Sequence, residues 1–283
     1  MFWGSLGLLS WGAADYLARS VAVRVGSLST TILVQVLGLA LPLPFVIAEV
    51  AATGLDVDWG AMAIWAPLCG ACLGAGYLCY YTGLQRGSVS VVSSAASAWL
   101  AVTVTVTVLL FGEHISLPQG LLMGAVLTGI LMLSVQPSTR SGSSTGLLWG
   151  VGAMFALGLA LALLDRVTEA SGPMLAVLIV RVLSVIPAYL FIRSRGEVIR
   201  LPQGWDGKRL LFGAALLDAG GYVTYNLGID AAPVPVVAPI VAAHPVVTVA
   251  LAVLLLRERP RSLQWVGAGV TVAAIIALSA VAA

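Results

Sequence analysis

Long apolar runs, separated by short clusters of charge, proline and glycine, make up almost the whole chain. Ten such runs can be marked, each close to the roughly 20 residues that an α-helix needs to cross a bilayer. They cover approximately residues 3–23, 28–48, 60–82, 88–110, 116–135, 146–164, 173–193, 208–228, 233–256 and 262–281. Only helices and closed barrels satisfy the backbone in lipid, and runs this long and apolar are not barrel strands. The pattern predicts an all-α integral membrane protein with ten transmembrane helices.

One of these runs carries a conflicting local signal. Residues 101–108 read Ala-Val-Thr-Val-Thr-Val-Thr-Val, which alternates with the period of a β-strand. Because the alternation lies inside a longer apolar run, we predict a helix there.

Composition and charge support a membrane protein and exclude a nucleic-acid partner. The 283 residues are 60% hydrophobic and only 9% charged, against about 25% charged in soluble domains. Most side chains must therefore face lipid or protein. A formal net charge of +2 gives no basic field for nucleic acid.

The chain divides into two similar halves, which we predict to be domains 1–136 and 146–283 with a Ser/Gly-rich linker at 137–145. Tyr80-Tyr-Thr-Gly83 matches Tyr225-Asn-Leu-Gly228 at an offset of 145, and Glu113 and Gln119 match Glu258 and Gln264. Each half holds five spans, so the second repeat should sit inverted relative to the first. Inverted repeats are typical of secondary transporters, whose binding sites lie near the bilayer midplane.

The same features carry a resemblance to a known family. Each half ends in a Tyr, a Gly, a long apolar run, a Glu and a final Gly-bearing span, seen in the second half from Tyr225 to Gly269. This order resembles the EamA-type branch of the drug/metabolite transporter superfamily, twice, over nearly the whole chain. The resemblance implies a ten-helix transporter with a central cavity, often an exporter of amino acids or related metabolites. The first half departs from the pattern, with Ser88 and Ser94 opposite Pro233 and Pro239, so the two halves of the cavity should differ chemically.

Four ionisable residues fall well inside predicted spans, where each charge costs roughly 2.5–3.5 kcal/mol: Asp15, Arg181, Asp218 and His244. The Arg181 guanidinium suits a substrate carboxylate or phosphate, or forms a structural ion pair with Asp218 or Asp15. Asp218 can pair with Arg181 or hold a proton. His244 is the alternative proton carrier or a hydrogen-bonded core residue.

Polar and aromatic residues at helical spacing predict a cavity between the repeats. The tyrosines can instead pack in the bundle, and Ser94 can serve close helix packing. We assign coupling to Asp218 and His244. The predicted substrate-binding residues are Trp11, Asp15, Gln35, Tyr77, Tyr81, Ser94, Trp99, Arg181, Tyr222 and Asn226.

The predicted function is secondary transport by alternating access. The family resemblance implies that the direction of transport is export. Rival hypotheses are an intramembrane enzyme, a receptor or structural protein and, among transporters, a sugar or nucleotide-sugar carrier. No nucleotide-binding Gly-x-x-x-x-Gly-Lys-Ser/Thr motif occurs. Cys69, Cys72 and Cys79 fit helix packing better than a metal site, so we expect no metal, no cofactor and no enzymatic activity. The sequence is compatible with either a monomer or a homodimer.

The distribution of basic residues predicts the orientation in the inner (plasma) membrane. Odd-numbered loops hold 12 of the 14 Lys and Arg, and even-numbered loops hold only Arg166. The positive-inside rule therefore places both termini outside, whereas the family resemblance suggests both inside. We predict termini outside, because the bias lies in short loops. A C-terminal reporter that works only in the cytoplasm should be inactive, and strong activity would reverse this prediction.

Overall fold

The computed structural model describes residues 2–86, 92, 95–134, 144–256 and 262–281. Ser94 and linker residues 137–143 lie outside the described residues. The described part is helical and contains no strand. Its helices are α1 (Phe2–Val25), α2 (Ser27–Leu37), α3 (Pro42–Thr53), α4 (Trp59–Arg86), α5 (Trp99–Phe111), α6 (Leu117–Ser134), α7 (Ser144–Ser171), α8 (Pro173–Ser194), α9 (Gly204–Ala231), α10 (Val234–Ala242), α11 (His244–Leu256) and α12 (Ser262–Val281).

Several helical stretches have the length and hydropathy of membrane spans. Among the described residues, four satisfy both requirements: Leu28–Thr53, Trp59–Gly83, Gly146–Ser171 and Pro173–Ser194. Four shorter apolar helices accompany them. The chain is therefore a multi-pass membrane protein, while the count of ten crossings stays a prediction. The Val/Thr alternation at 101–108 lies within α5, which confirms the helix predicted there.

The predicted second span contains an irregular turn. Gly38–Ala40 form a 3-10 turn between α2 and α3, and Pro42 occupies the first turn of α3. Proline is tolerated there because the first amides of a helix have no partner within it. The hydropathy pattern contained no sign of this turn, which later proves to pack against a buried charge.

The fourth and ninth predicted spans break at equivalent positions. Ala243 separates α10 from α11, and Ala98 precedes α5, 145 residues earlier. At both breaks the amide bonds the carbonyl three residues back, over 3.3 Å. Pro245 follows the second break and removes a helical donor. The first break has no proline near it, so proline is not the common cause.

The two repeats pack through reciprocal contacts. Helix α1 packs along α9 while α4 packs along α7, and α6 packs along α12. Gly12 lies against the backbone of His244, and its counterpart Gly158 lies against the backbone of Trp99. Thr248 Oγ1 donates to the Gly12 carbonyl over 3.1 Å. Thr103 Oγ1 donates likewise to the Gly158 carbonyl over 2.8 Å. Each repeat thus makes the same contacts with the other, as an approximate two-fold relation between them requires.

Glycine at these crossings should be required for stability in both repeats. A Cβ at Gly12 would lie 2.5 Å from Val247 Cβ, and one at Gly158 would lie 2.6 Å from Val102 Cβ. We expect Gly12→Ala and Gly158→Ala each to cost about 1–3 kcal/mol through overpacking, measured as a lower melting temperature in detergent. Gly124→Ala is the control, because a Cβ there meets no atom within 4 Å. Equal melting of Gly158→Ala and Gly124→Ala would contradict the reciprocal packing.

Candidate functional site

A cavity lies at the contact between the two repeats. Both repeats contribute to its wall through α1, α4, α5, α7, α9 and α11. Eight of the twelve predicted site residues line it: Trp11, Asp15, Tyr77, Tyr81, Trp99, Asp218, Tyr222 and His244. The site therefore assembles from residues that are distant in sequence.

Helical periodicity explains why these residues share the cavity. Asp218 and Tyr222 on α9 are four residues apart, as are Tyr77 and Tyr81 on α4, and such pairs lie on one face of a helix. Trp99 and His244 begin α5 and α11 directly after the two breaks. Irregular backbone at membrane depth is tolerated where it lines a cavity or is buried in protein. The breaks thus present equivalent positions of the two repeats to the same space.

A buried ion pair lies at one side of the cavity. Arg181 Nη1 donates to Asp218 Oδ2 over 2.8 Å, and Arg181 Nη2 donates to the Val34 carbonyl over 3.3 Å. The guanidinium carbon lies 5.3 Å from the Tyr222 ring centroid. Arg181 is 0% exposed, so it lies behind the cavity wall rather than in it. Of the partners considered for Arg181 from the sequence, the structure shows Asp218.

Hydrogen bonds hold the Asp218 carboxylate at the cavity surface. The Tyr77 hydroxyl donates to Asp218 Oδ1 over 3.1 Å, and it lies 3.1 Å from the Tyr222 hydroxyl, which is left to donate to Tyr77. Trp11 Nε1 donates to the backbone carbonyl of Asp218 over 3.2 Å. The network joins α1, α4, α8 and α9, so it links both repeats at one point.

Asp15 and His244 lie next to one another in a more exposed part of the cavity wall. His244 Nδ1 lies 3.3 Å from Asp15 Oδ2, but the geometry makes no hydrogen bond. The Asp15 side chain is 46% exposed, against 16% for His244. Asp15 is thus the more accessible carboxylate of the cavity.

Aromatic rings complete the wall. Trp11 packs edge-on against Tyr222 with centroids 4.9 Å apart and stacks on Tyr225 at 5.8 Å. Tyr77 and Tyr81 stack with centroids 6.1 Å apart. The cavity therefore offers ring faces and carboxylates, and the nearby Arg181 is covered.

Three of the described candidates do not line the cavity: Arg181, Gln35 and Asn226. Gln35 is 2% exposed, and neither of its amide atoms has a hydrogen-bond partner among the described residues. Asn226 accepts from Thr168 Oγ1 over 2.7 Å and donates to the Pro173 carbonyl. Asn226 thus ties α9 to α7 and α8. Its predicted role in substrate binding stays a prediction.

Sequence reasoning left out several wall residues. Tyr80 and Ser97 line the cavity. Several small or aliphatic residues also line it. Tyr80 and Ser97 belong to polar stretches that also hold predicted site residues, so a search for polar residues around those positions could have identified them. The alanines carry no chemical signal that separates a cavity wall from helix packing: Ala14, Ala18, Ala96 and Ala214.

Comparisons with known proteins agree with this arrangement. The model of the EamA-like transporter family matches residues 1–135 and again residues 144–280. No curated protein matches the sequence. The chain is similar to a protein of known crystal structure, with a TM-score of 0.80 over 99% of this chain and 96% of that chain, at 18% identity. At that identity the likeness concerns the fold alone.

Removing the Asp218 charge should destabilise the protein, because Arg181 would be left as an uncompensated buried cation. We expect Asp218→Asn to cost about 3–5 kcal/mol, measured as a lower melting temperature. Asp15→Asn should have a much smaller effect, since exposed pairs contribute about 0–1 kcal/mol. The double variant Arg181→Met with Asp218→Asn should recover part of the loss. Equal effects of the two single Asp variants would contradict this description of the pair.

Proposed function

The chain belongs to the EamA-like transporter family, and we propose that it exports small organic metabolites, such as amino acids, across the inner (plasma) membrane. The observation that carries this proposal is the cavity between the repeats. It is walled by aromatic rings and contains two carboxylates and a histidine. Charged residues at membrane depth are costly and typically mark a substrate or ion pathway.

The distribution of burial supports alternating access. The wall residues Ala18, Tyr81 and Ala214 lie toward the helix ends that join the Arg-rich loops. On the opposite side of the cavity Tyr225 and Val234 are fully buried. The cavity is therefore best described as accessible from the Arg-rich side and closed on the other, which is one of the two states that alternating access requires.

The helix breaks supply a means of changing between the states. Helix α5 contacts α10 on the closed side, and both helices adjoin a break, at Ala98 and Ala243. We propose that the segments on either side of each break tilt so that the α5–α10 contact opens. Because the repeats make reciprocal contacts, the same tilt in the other repeat would close the Arg-rich side.

We further propose that transport is coupled to protons. Asp218 faces the cavity with a side chain 13% exposed, while its partner Arg181 lies behind it. A substrate carboxylate that displaced Asp218 from Arg181 would free Asp218 to take up a proton. Occupancy by substrate and by proton would then shift the balance between two states. His244, beside Asp15, is the second candidate for this role.

The cavity weakens one rival function, and an assay separates the other. A nucleotide-sugar carrier would need several basic groups to meet phosphates, but Arg181 is the only Lys or Arg predicted at depth and is already engaged by Asp218. An intramembrane enzyme would have to turn over a substrate chemically, which a transport assay with product analysis detects.

Uptake into liposomes tests the function. Protein-containing liposomes should accumulate labelled amino acids in unchanged chemical form, and an imposed pH gradient should raise the accumulation. The pH effect should be lost in Asp218→Asn and kept in His244→Gln. Protein-free liposomes are the control. Absence of uptake by well-folded protein would contradict transport, and residual Asp218→Asn uptake that still follows pH would contradict coupling at Asp218.

A further inference from the structure

Asp15 is the acidic group that the cavity leaves most open to an incoming molecule. Its side chain is 46% exposed, and among the described side chains only His244 lies within ion-pair distance of it, without a hydrogen bond. Asp218 is more covered and already receives hydrogen bonds from Arg181 and Tyr77. A ligand entering the cavity thus meets the Asp15 carboxylate in an open position.

Arg181, in contrast, is poorly placed to receive an anion in this state. Both terminal nitrogens of its guanidinium are engaged, by Asp218 and by the Val34 carbonyl, and the Tyr222 ring lies 5.3 Å from its central carbon. Its Nε has no partner but is buried. A ligand carboxylate would first have to displace Asp218 from a bond of 2.8 Å.

The charges of the cavity favour a cation. Arg181 and Asp218 compensate one another over 2.8 Å, whereas the Asp15 carboxylate lies 3.3 Å from His244 without a hydrogen bond to it. Ring faces surround the same space, with Trp11, Tyr77 and Trp99 in the wall. An ammonium group is attracted both by a carboxylate and by the faces of aromatic rings.

We propose that the cavity recognises its substrate through an ammonium group, held by Asp15 and the surrounding aromatic rings. The substrate class is therefore organic amines, and amino acids enter it by virtue of their amine rather than their carboxylate. This inference rests on the proposed transport function, in which the cavity carries the substrate, and does not require displacement of Asp218 by a substrate carboxylate. It predicts that an amine without a carboxylate binds, and that the matching acid without an amine does not.

Matched compounds test the charge that is recognised. The probes are leucine, isopentylamine and 4-methylpentanoate, together with phenylalanine, phenylethylamine and 3-phenylpropionate, each titrated onto purified protein at a pH where the amines are cationic. The amines and amino acids should bind, and the acids should not. Asp15→Asn should weaken amine binding about tenfold or more, as expected for loss of a charge-assisted bond. Asp206→Asn, in the first turn of α9 and outside the cavity wall, should leave it unchanged.

Several results would contradict recognition through the amine. Binding of the acids as tightly as the amines, equal amine affinity of Asp15→Asn and wild type, or no binding of any amine would each overturn the inference. Arg19 follows Asp15 by one helical turn in the sequence, so Arg19→Gln is included. Acid binding that disappears in Arg19→Gln would assign an anion site and refute the amine site.

The liposome assay separates this failure from failure of the proposed function. If liposomes accumulate another metabolite while no amine binds, the transport function stands and the amine inference is wrong. If nothing is accumulated by folded protein, the proposed function itself is wrong.

Discussion

The pairing of the Arg181 guanidinium with Asp218 is the interaction on which the organisation of the site depends. A cation that is fully buried at membrane depth must be compensated, and Asp218 does so over 2.8 Å. The surrounding backbone is adapted to the same group. A Cβ on residue 38 would clash with Arg181 Nη2, so a larger residue in the 3-10 turn after α2 would displace the guanidinium. The hydrogen bonds around Asp218 then fix the positions of Tyr77, Tyr222 and Trp11 in the cavity wall.

The approximate symmetry of the fold is not matched by symmetry of charge. Gly12 and Gly158, Thr103 and Thr248, and the breaks at Ala98 and Ala243 are structural pairs that the repeat preserves. The counterparts of Arg181 and His244, at the repeat offsets of 146 and 145, are Gln35 and Trp99. Packing between the repeats is therefore equivalent, while most of the charge of the cavity comes from the second repeat. Asp15 is the exception, a carboxylate contributed by α1 of the first repeat.

Periodicity and the cost of buried charge predicted much of this arrangement. They led to the helix at 101–108, to the Arg181–Asp218 pair and to the shared aromatic faces of α4 and α9. The break at Ala98 could not be predicted, because no proline or charge lies near it in the sequence. That Gln35 and Asn226 lie outside the cavity wall could not be predicted for another reason. Hydropathy shows that a polar residue lies in a span, but only the packing of neighbouring helices decides whether it faces a cavity or another helix.

The central claim is that the cavity is closed on one side in this state and opens there during transport. Single cysteines replacing Ala18 in the cavity wall and Val234 on the closed side report the two sides separately, in protein whose native Cys69, Cys72 and Cys79 are replaced. Their reaction with a membrane-impermeant thiol reagent is measured from each side, with and without substrate. The account predicts that Ala18→Cys reacts from the side of the Arg-rich loops, and that substrate changes the two rates in opposite directions. Rates at both positions that do not respond to a transported substrate would contradict it.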